Sequence, residues 1–113
     1  MNSTAKRKAL ANNIHSKDFV LAPGVYDLIS AKIADRLNFR AIYMTGYGVA
    51  ASHLGLPDAG LASYTDVVER ARKIAQGTNT PLICDADTGF GGLLNVKHTI
   101  EGFEEAGCSA IQI

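Results

Sequence analysis

Apolar and polar positions follow two rhythms along the chain. Four short, largely apolar runs, Phe19–Ala22, Ala41–Met44, Pro81–Cys84 and Ala110–Ile113, recur through it. The first three are closed by turn-forming or acidic residues: Pro23-Gly24, Thr45-Gly46-Tyr47-Gly48 and Asp85-Ala86-Asp87-Thr88-Gly89. Runs of this length and punctuation read as buried strands. Between them the apolar positions recur at helical spacing. Leu28, Ile29, Ala31, Ile33, Ala34 and Leu37 oppose Lys32, Asp35 and Arg36, with Asp27 as the cap. Tyr64, Val67, Val68, Ala71, Ile74 and Ala75 oppose Glu69, Arg70 and Lys73, with Thr65 or Ser63 as the cap and Gly77 as the stop. A further helix runs from about Leu94 to Ala106 and is closed by Gly107. A leading helix, Thr4–Ile14, has a thin apolar face and Ser3 or Thr4 at its start. A short helix is expected over Val49–Ser52, followed by a polar loop from Gly55 to Ser63.

Strands apolar on both faces, alternating with helices, imply an α/β fold with a parallel sheet covered by helices. The crossovers are then right-handed, at roughly 30 residues per βα unit. An open doubly wound sheet and a closed barrel both fit this order. Polar and glycine residues follow nearly every strand at its C-terminal end, where barrels carry their sites, so the reading is the N-terminal part of a (β/α)8 TIM-type barrel. A whole barrel takes about 250 residues. Residues 1–113 are therefore read as about four strands of one incomplete domain, with 1–17 a leading helix and 18–113 the βα units. The ending inside an apolar strand is taken as a truncation.

Charge narrows the partners. Lys+Arg and Asp+Glu both total 11, a net charge of zero, which removes the electrostatic case for nucleic acid or an anionic membrane. With 47% hydrophobic and 19% charged residues the composition is globular rather than disordered. No apolar run is long enough to span a bilayer. The basic cluster Lys6-Arg7-Lys8 is not followed by a signal-peptide core, which points to the cytoplasm. The two cysteines, Cys84 and Cys108, lie in apolar stretches and read as packed free thiols.

Three segments carry candidate chemistry. Asp85 and Asp87 stand two apart at the mouth of a strand, so strand alternation points both the same way. Paired carboxylates repel unless a cation stands between them, and a hard divalent ion with oxygen ligands meets that need. A turn whose aspartates cap the next helix is the alternative. In Tyr43-Met44-Thr45-Gly46-Tyr47-Gly48 the glycines let backbone N–H groups approach a carboxylate at a helix N-terminus, and Thr45 adds a hydroxyl; an ordinary βα turn would use glycine too. Asp58, in Gly55-Leu56-Pro57-Asp58-Ala59-Gly60, is either held near the metal by a rigid loop or solvated in an exposed turn. His15, His53 and His98 show no ligand spacing.

Taken in order, these segments resemble the isocitrate lyase / phosphoenolpyruvate mutase superfamily, in particular its methylisocitrate lyase and carboxyvinyl-carboxyphosphonate phosphorylmutase types. The similarity runs from Leu21-Ala22-Pro23-Gly24-Val25-Tyr26-Asp27 to Ala110-Ile111-Gln112-Ile113. Its most specific piece is Asp85-Ala86-Asp87-Thr88-Gly89-Phe90-Gly91, with Asn95 and the Gly102–Gly107 helix end. The resemblance implies a barrel active at its C-terminal face, using Mg²⁺ (or Mn²⁺) on a small di- or tricarboxylic acid, and a homo-oligomer, commonly a tetramer. Asp85 and Asp87 match its metal-binding aspartates, and Asp58 an outer-shell aspartate of the catalytic site. Tyr43 lines the site. Thr45, Gly46 and Tyr47 match a Ser-Gly-small segment holding the substrate carboxylate, with Thr keeping the hydroxyl and Tyr47 standing where a small residue is common. The implied activity is a Mg-dependent C–C bond lyase acting through an enolate on a 2-methylisocitrate-like or malate-like acid. The alternatives are an oxaloacetate-type decarboxylase, a phosphonopyruvate P–C bond phosphomutase, or a catalytically incomplete chain. A further metal-shell acid and a Lys-Lys/Arg-Cys-Gly-His segment, which would separate these reactions, fall beyond Ile113.

Overall fold

The computed structural model describes residues 2–113. Its elements are α1 (Ser3–His15), β1 (Gly24–Val25), α2 (Leu28–Arg36), β2 (Ile42–Met44), α3 (Gly46–Leu54), α4 (Tyr64–Gly77), β3 (Leu82–Asp85), α5 (Leu93–Ala106) and β4 (Ala110–Gln112). The four strands form one parallel sheet in the order β1-β2-β3-β4. A doubly wound sheet reverses its strand order partway across. Here each strand adds to the same side as the last, the progression of a barrel arc.

The two faces of the sheet differ. Ile42, Met44, Leu82 and Cys84 are fully or almost fully buried and join Val67, Val68, Ala71, Ile74 and Phe103 of α4 and α5 in the core. Their alternates Tyr43, Ile83 and Asp85 are half-buried on the opposite face, paired in register with one another and with Ala110 and Gln112. Helices α4 and α5 approach closely because residue 102 is glycine: a Cβ there would lie 1.9 Å from the Tyr64 hydroxyl.

Several boundaries depart from the reading of the sequence. The first strand is not Phe19–Ala22. Phe19 is 85% exposed and Leu21 58%, and pairing begins instead where the Pro23 and Val25 carbonyls accept the N–H groups of Tyr43 and Thr45. An apolar run does not encode a pairing partner; the strand is set by its junction with α2, whose Asp27 cap sits two residues after Val25. The α1 cap is Asn2, whose Oδ1 accepts the Ala5 N–H at 2.8 Å, so Ser3 and Thr4 fall inside the helix. Helix α3 starts three residues earlier than expected, with Thr45 as its N-cap. On α2 the small residues Ala31 and Ala34 are buried while Ile29, Ile33 and Leu37 are exposed.

Two charged side chains that pattern alone would leave in solvent hold the layers together. Lys6 of α1 is 3% exposed, and its ammonium donates to the carbonyls of Ala75 and Thr78, closing the C-terminus of α4. Burial is the main cause lowering its pKa, opposed by Asp35 and Cys108. Asp35, expected on the polar face of α2, accepts from the Asn79 and Thr80 N–H groups and the Thr80 hydroxyl. Burial raises its pKa, but these hydrogen bonds and Lys6 outweigh that and leave it below the usual carboxylate range.

Candidate active site

The site is assembled at the C-terminal ends of β2 and β3. Asp85 is the last residue of β3, and its carboxylate is held from two sides. Oδ1 accepts the Asp87 N–H at 2.9 Å and Oδ2 accepts the Gly46 N–H at 3.3 Å, at the start of α3. A cavity of about 60 Å³ opens beside it, lined by Gly46, Asp58, Gly60, Ala62, Val67, Asp85, Asp87 and Phe90. The three aspartates singled out from the sequence therefore share one cavity, although they come from two separate loops and a strand end.

Asp87 reaches this cavity by a route the sequence did not suggest. It is not a strand residue; the strand ends at Asp85, and Asp87 has φ +53. The turn, not period-two alternation, brings the two carboxylates together. The same loop holds Phe90 at φ +62, a conformation that is strained for a bulky side chain. Its ring is kept there by edge contact with Tyr64 (6.1 Å between centroids) and by stacking near Phe103 (6.5 Å, 12°). The Phe90 wall of the cavity was not anticipated, although its residue lay in the quoted motif.

The remaining candidates divide. Tyr43 stands on the open face of the sheet, and its hydroxyl donates to Gln112 Oε1 at 2.6 Å. Burial chiefly pushes that hydroxyl's pKa up, with the negative charges of Asp85 and Asp58 adding, so it stays protonated. Gln112 was also missed; its signal was a lone polar residue between Ile111 and Ile113. Gly46 touches the cavity directly. Thr45 does not: its Oγ1 faces the Gly48 N–H at 3.5 Å as the helix cap. The Tyr47 side chain is 66% exposed and lines a separate groove with Tyr26, Thr45, Gly48, Ala51 and Ser52. His53 pairs with Asp66 at 3.1 Å, away from the cavity.

Gly46 makes a sharp test of this arrangement. A Cβ at that position would stand 2.7 Å from Asp85 Oδ2. The obstacle is the end of a side chain, so Gly46→Ala is expected to turn the carboxylate aside without unfolding the chain. Mn²⁺ binding followed by electron paramagnetic resonance should weaken by about tenfold or more, with the thermal midpoint nearly unchanged. Unaltered Mn²⁺ affinity would contradict the role given to Asp85.

Comparison with known proteins adds the family. The profile described as phosphoenolpyruvate phosphomutase matches residues 10–113. The chain belongs to that family. Within the phosphoenolpyruvate mutase/isocitrate lyase superfamily it is 48% identical over 113 residues to a 2,3-dimethylmalate lyase of Eubacterium barkeri, covering all of this chain and 38% of that one. It is 43% identical over 91 residues to a 2-methylisocitrate lyase of Halalkalibacterium halodurans, covering 80% of this chain and 30% of that one. Among solved structures, a phosphonopyruvate hydrolase complexed with oxalate and Mg²⁺ superposes with a TM-score of 0.89 at 34% identity, over 98% of this chain and 38% of that one. The α/β arc of four parallel strands and five helices is thus shared with TIM-barrel-type members of the superfamily. The chain covers between 30% and 38% of the length of these relatives. No helix among the described residues is long and apolar enough to cross a membrane.

The residues present fit a divalent cation of the kind named in that hydrolase complex. All the side-chain donors are carboxylate oxygens, which suit Mg²⁺ or Mn²⁺ rather than a soft metal. Each Asp85 oxygen spends one acceptor site on a backbone N–H and keeps another for an ion. Among the described residues no three acidic, histidine or cysteine side chains converge closely enough to hold a metal alone. Mg²⁺ itself keeps several waters and takes one or two carboxylates.

Proposed function

We propose that this chain forms the metal- and carboxylate-binding rim of a Mg²⁺-dependent C–C bond lyase acting on a malate-like or 2-methylisocitrate-like acid. The observation supporting this reading is that Asp85 and Asp87 line one small cavity with Asp58 and with Gly46 at the start of α3. Similarity to 2,3-dimethylmalate and 2-methylisocitrate lyases supports the reaction class.

In this reading Asp85 and Asp87 would hold the ion, with Asp58 on the wall of the same cavity. Bound Mg²⁺ supplies positive charge against the negative charge that develops on oxygen when a C–C bond beside a carboxylate breaks, an effect worth several kcal/mol of barrier. The Gly46 N–H is spent on Asp85 and the Gly48 N–H on the Thr45 cap, so the start of α3 favours a substrate carboxylate in the adjoining cavity through the positive end of its dipole. Tyr43, kept protonated, offers a hydroxyl on the same face of the sheet as Asp85. Phe90 and Val67 exclude water from one wall of the cavity.

Calorimetric titration with oxalate, a compact dicarboxylate, tests the rim. Oxalate is expected to bind in the presence of Mg²⁺ and at least about tenfold more weakly after chelation. Equal binding with and without the ion would refute the metal-dependent reading.

A further inference from the structure

The turn that carries Asp87 is held at its far end by a residue of α5 that has no place in the proposed chemistry. Four positions in this stretch have positive φ: Asp87 (+53), Gly89 (+89), Phe90 (+62) and Gly91 (+145). Such a backbone is unfavourable for the two that are not glycine and persists only where the surroundings fix it. Asp87 and Thr88 are exposed, so packing does not hold them, whereas Ala86 and Gly89 on either side are buried. The Ala86 carbonyl accepts the Gly89 N–H at 2.9 Å and closes the turn around Asp87.

Thr99 anchors that turn. It lies on α5, is 1% exposed, and its hydroxyl donates to the Gly89 carbonyl at 2.8 Å. A threonine inside a helix ordinarily turns its hydroxyl to a carbonyl three or four residues back on its own helix. This one reaches out of the helix, ten positions back, into the loop. Gly89 also approaches α5 closely: a Cβ there would stand 2.6 Å from Val96 Cγ2. A buried carbonyl left without a donor is unfavourable, so the loop is tied to the one placement in which Thr99 meets it.

We propose that Thr99 is a positioning residue, which sets where the Asp87 carboxylate meets a divalent cation by clamping Gly89 to α5. The proposal rests on the reading of Asp85 and Asp87 as the ion's ligands and adds a residue to it. Thr99 does not line the cavity. It acts through the turn at 86–89, whose geometry fixes the direction in which Asp87 leaves the backbone. The hydroxyl is the working part, and the methyl group is packing.

Mn²⁺ titration followed by electron paramagnetic resonance tests this in a graded series. Thr99→Val keeps the shape and removes the donor, and it should weaken Mn²⁺ binding by about tenfold or more. Thr99→Ser keeps the hydroxyl and should bind as the unaltered chain does. Thr99→Cys, with its weak S–H donor, should fall between them. Ile74→Val separates positioning from stability. Ile74 is fully buried in α4, about two turns beyond the Val67 of the cavity wall, so this variant should lower the thermal midpoint and leave Mn²⁺ affinity unchanged. Mn²⁺ bound equally by the unaltered chain and by Thr99→Val would overturn the clamp and leave the metal reading standing. Thr99→Ser as weak as Thr99→Val would overturn it too, because the loss would then follow the methyl group. So would equal losses in Thr99→Val and Ile74→Val, which would assign the effect to stability. An unaltered chain that binds no Mn²⁺ would instead refute the metal reading, and the clamp's role with it. Should Thr99→Val fail to fold, Thr99→Cys against Thr99→Ser decides.

Discussion

Asp85→Asn should abolish most divalent-ion binding, weakening Mn²⁺ by about a hundredfold or more in a paramagnetic resonance titration. The amide removes one negative charge from the ion's surroundings, yet its oxygen can still accept the Gly46 or Asp87 N–H that now holds the carboxylate. The fold should therefore persist, with a thermal midpoint close to that of the unaltered chain. Asp58→Asn is the graded control. As a wall of the cavity rather than a proposed ligand of the ion, it should cost no more than about tenfold. Mn²⁺ affinity unchanged in Asp85→Asn would remove the basis for the proposed function.

The largest effect on stability is expected at Phe103. Its ring is fully buried, lies 6.3 Å from Tyr64 in an edge contact, and stacks near Phe90. Phe103→Ala should lower the unfolding free energy by about 3–5 kcal/mol, from lost burial and the cavity left behind. That is a large share of the roughly 5–15 kcal/mol typical of a domain. Urea unfolding followed by circular dichroism measures it. Leu93→Ala, at a side chain 86% exposed, should stay within about 0.5 kcal/mol. A Phe103→Ala loss no greater than that of Leu93→Ala would contradict the packing described. Because Phe90 rests on Phe103, the same variant should also loosen the loop that carries Asp87, and the loss should appear as weaker Mn²⁺ binding.

Most element types were legible in the chain. The face of α4, with Val67, Val68, Ala71, Ile74 and Ala75 inward, was read correctly because a 3.6-residue repeat is a property of neighbouring residues. So were the Asp27 cap and the left-handed Gly107 end of α5, which are local chemistry. The first strand was misplaced because a strand is defined by its partner. Phe19–Ala22 has the composition of one, but the ladder forms at Gly24–Val25. Asp35 was misread for a related reason, and the burial of Lys6 went unforeseen: the groups that hold them, Asn79 and Thr80 for one and Ala75 and Thr78 for the other, lie some 45 and 70 positions away.

The candidate site shows the same division. Asp58, Asp85, Asp87 and Gly46 were named from spacing and from the resemblance, and they meet at one cavity. Thr45 is instead spent on capping α3, and the Tyr47 side chain faces a different groove. By itself the amino-acid order determined the alternation of helices and apolar strands, the residues able to cap and turn, and the family. Only the folded chain decided the sequential strand order, the left-handed turn that brings Asp87 beside Asp85, and the meeting of Thr99 with Gly89. Local pattern sets which conformations a segment prefers, whereas contacts between distant segments depend on how their buried faces pack together.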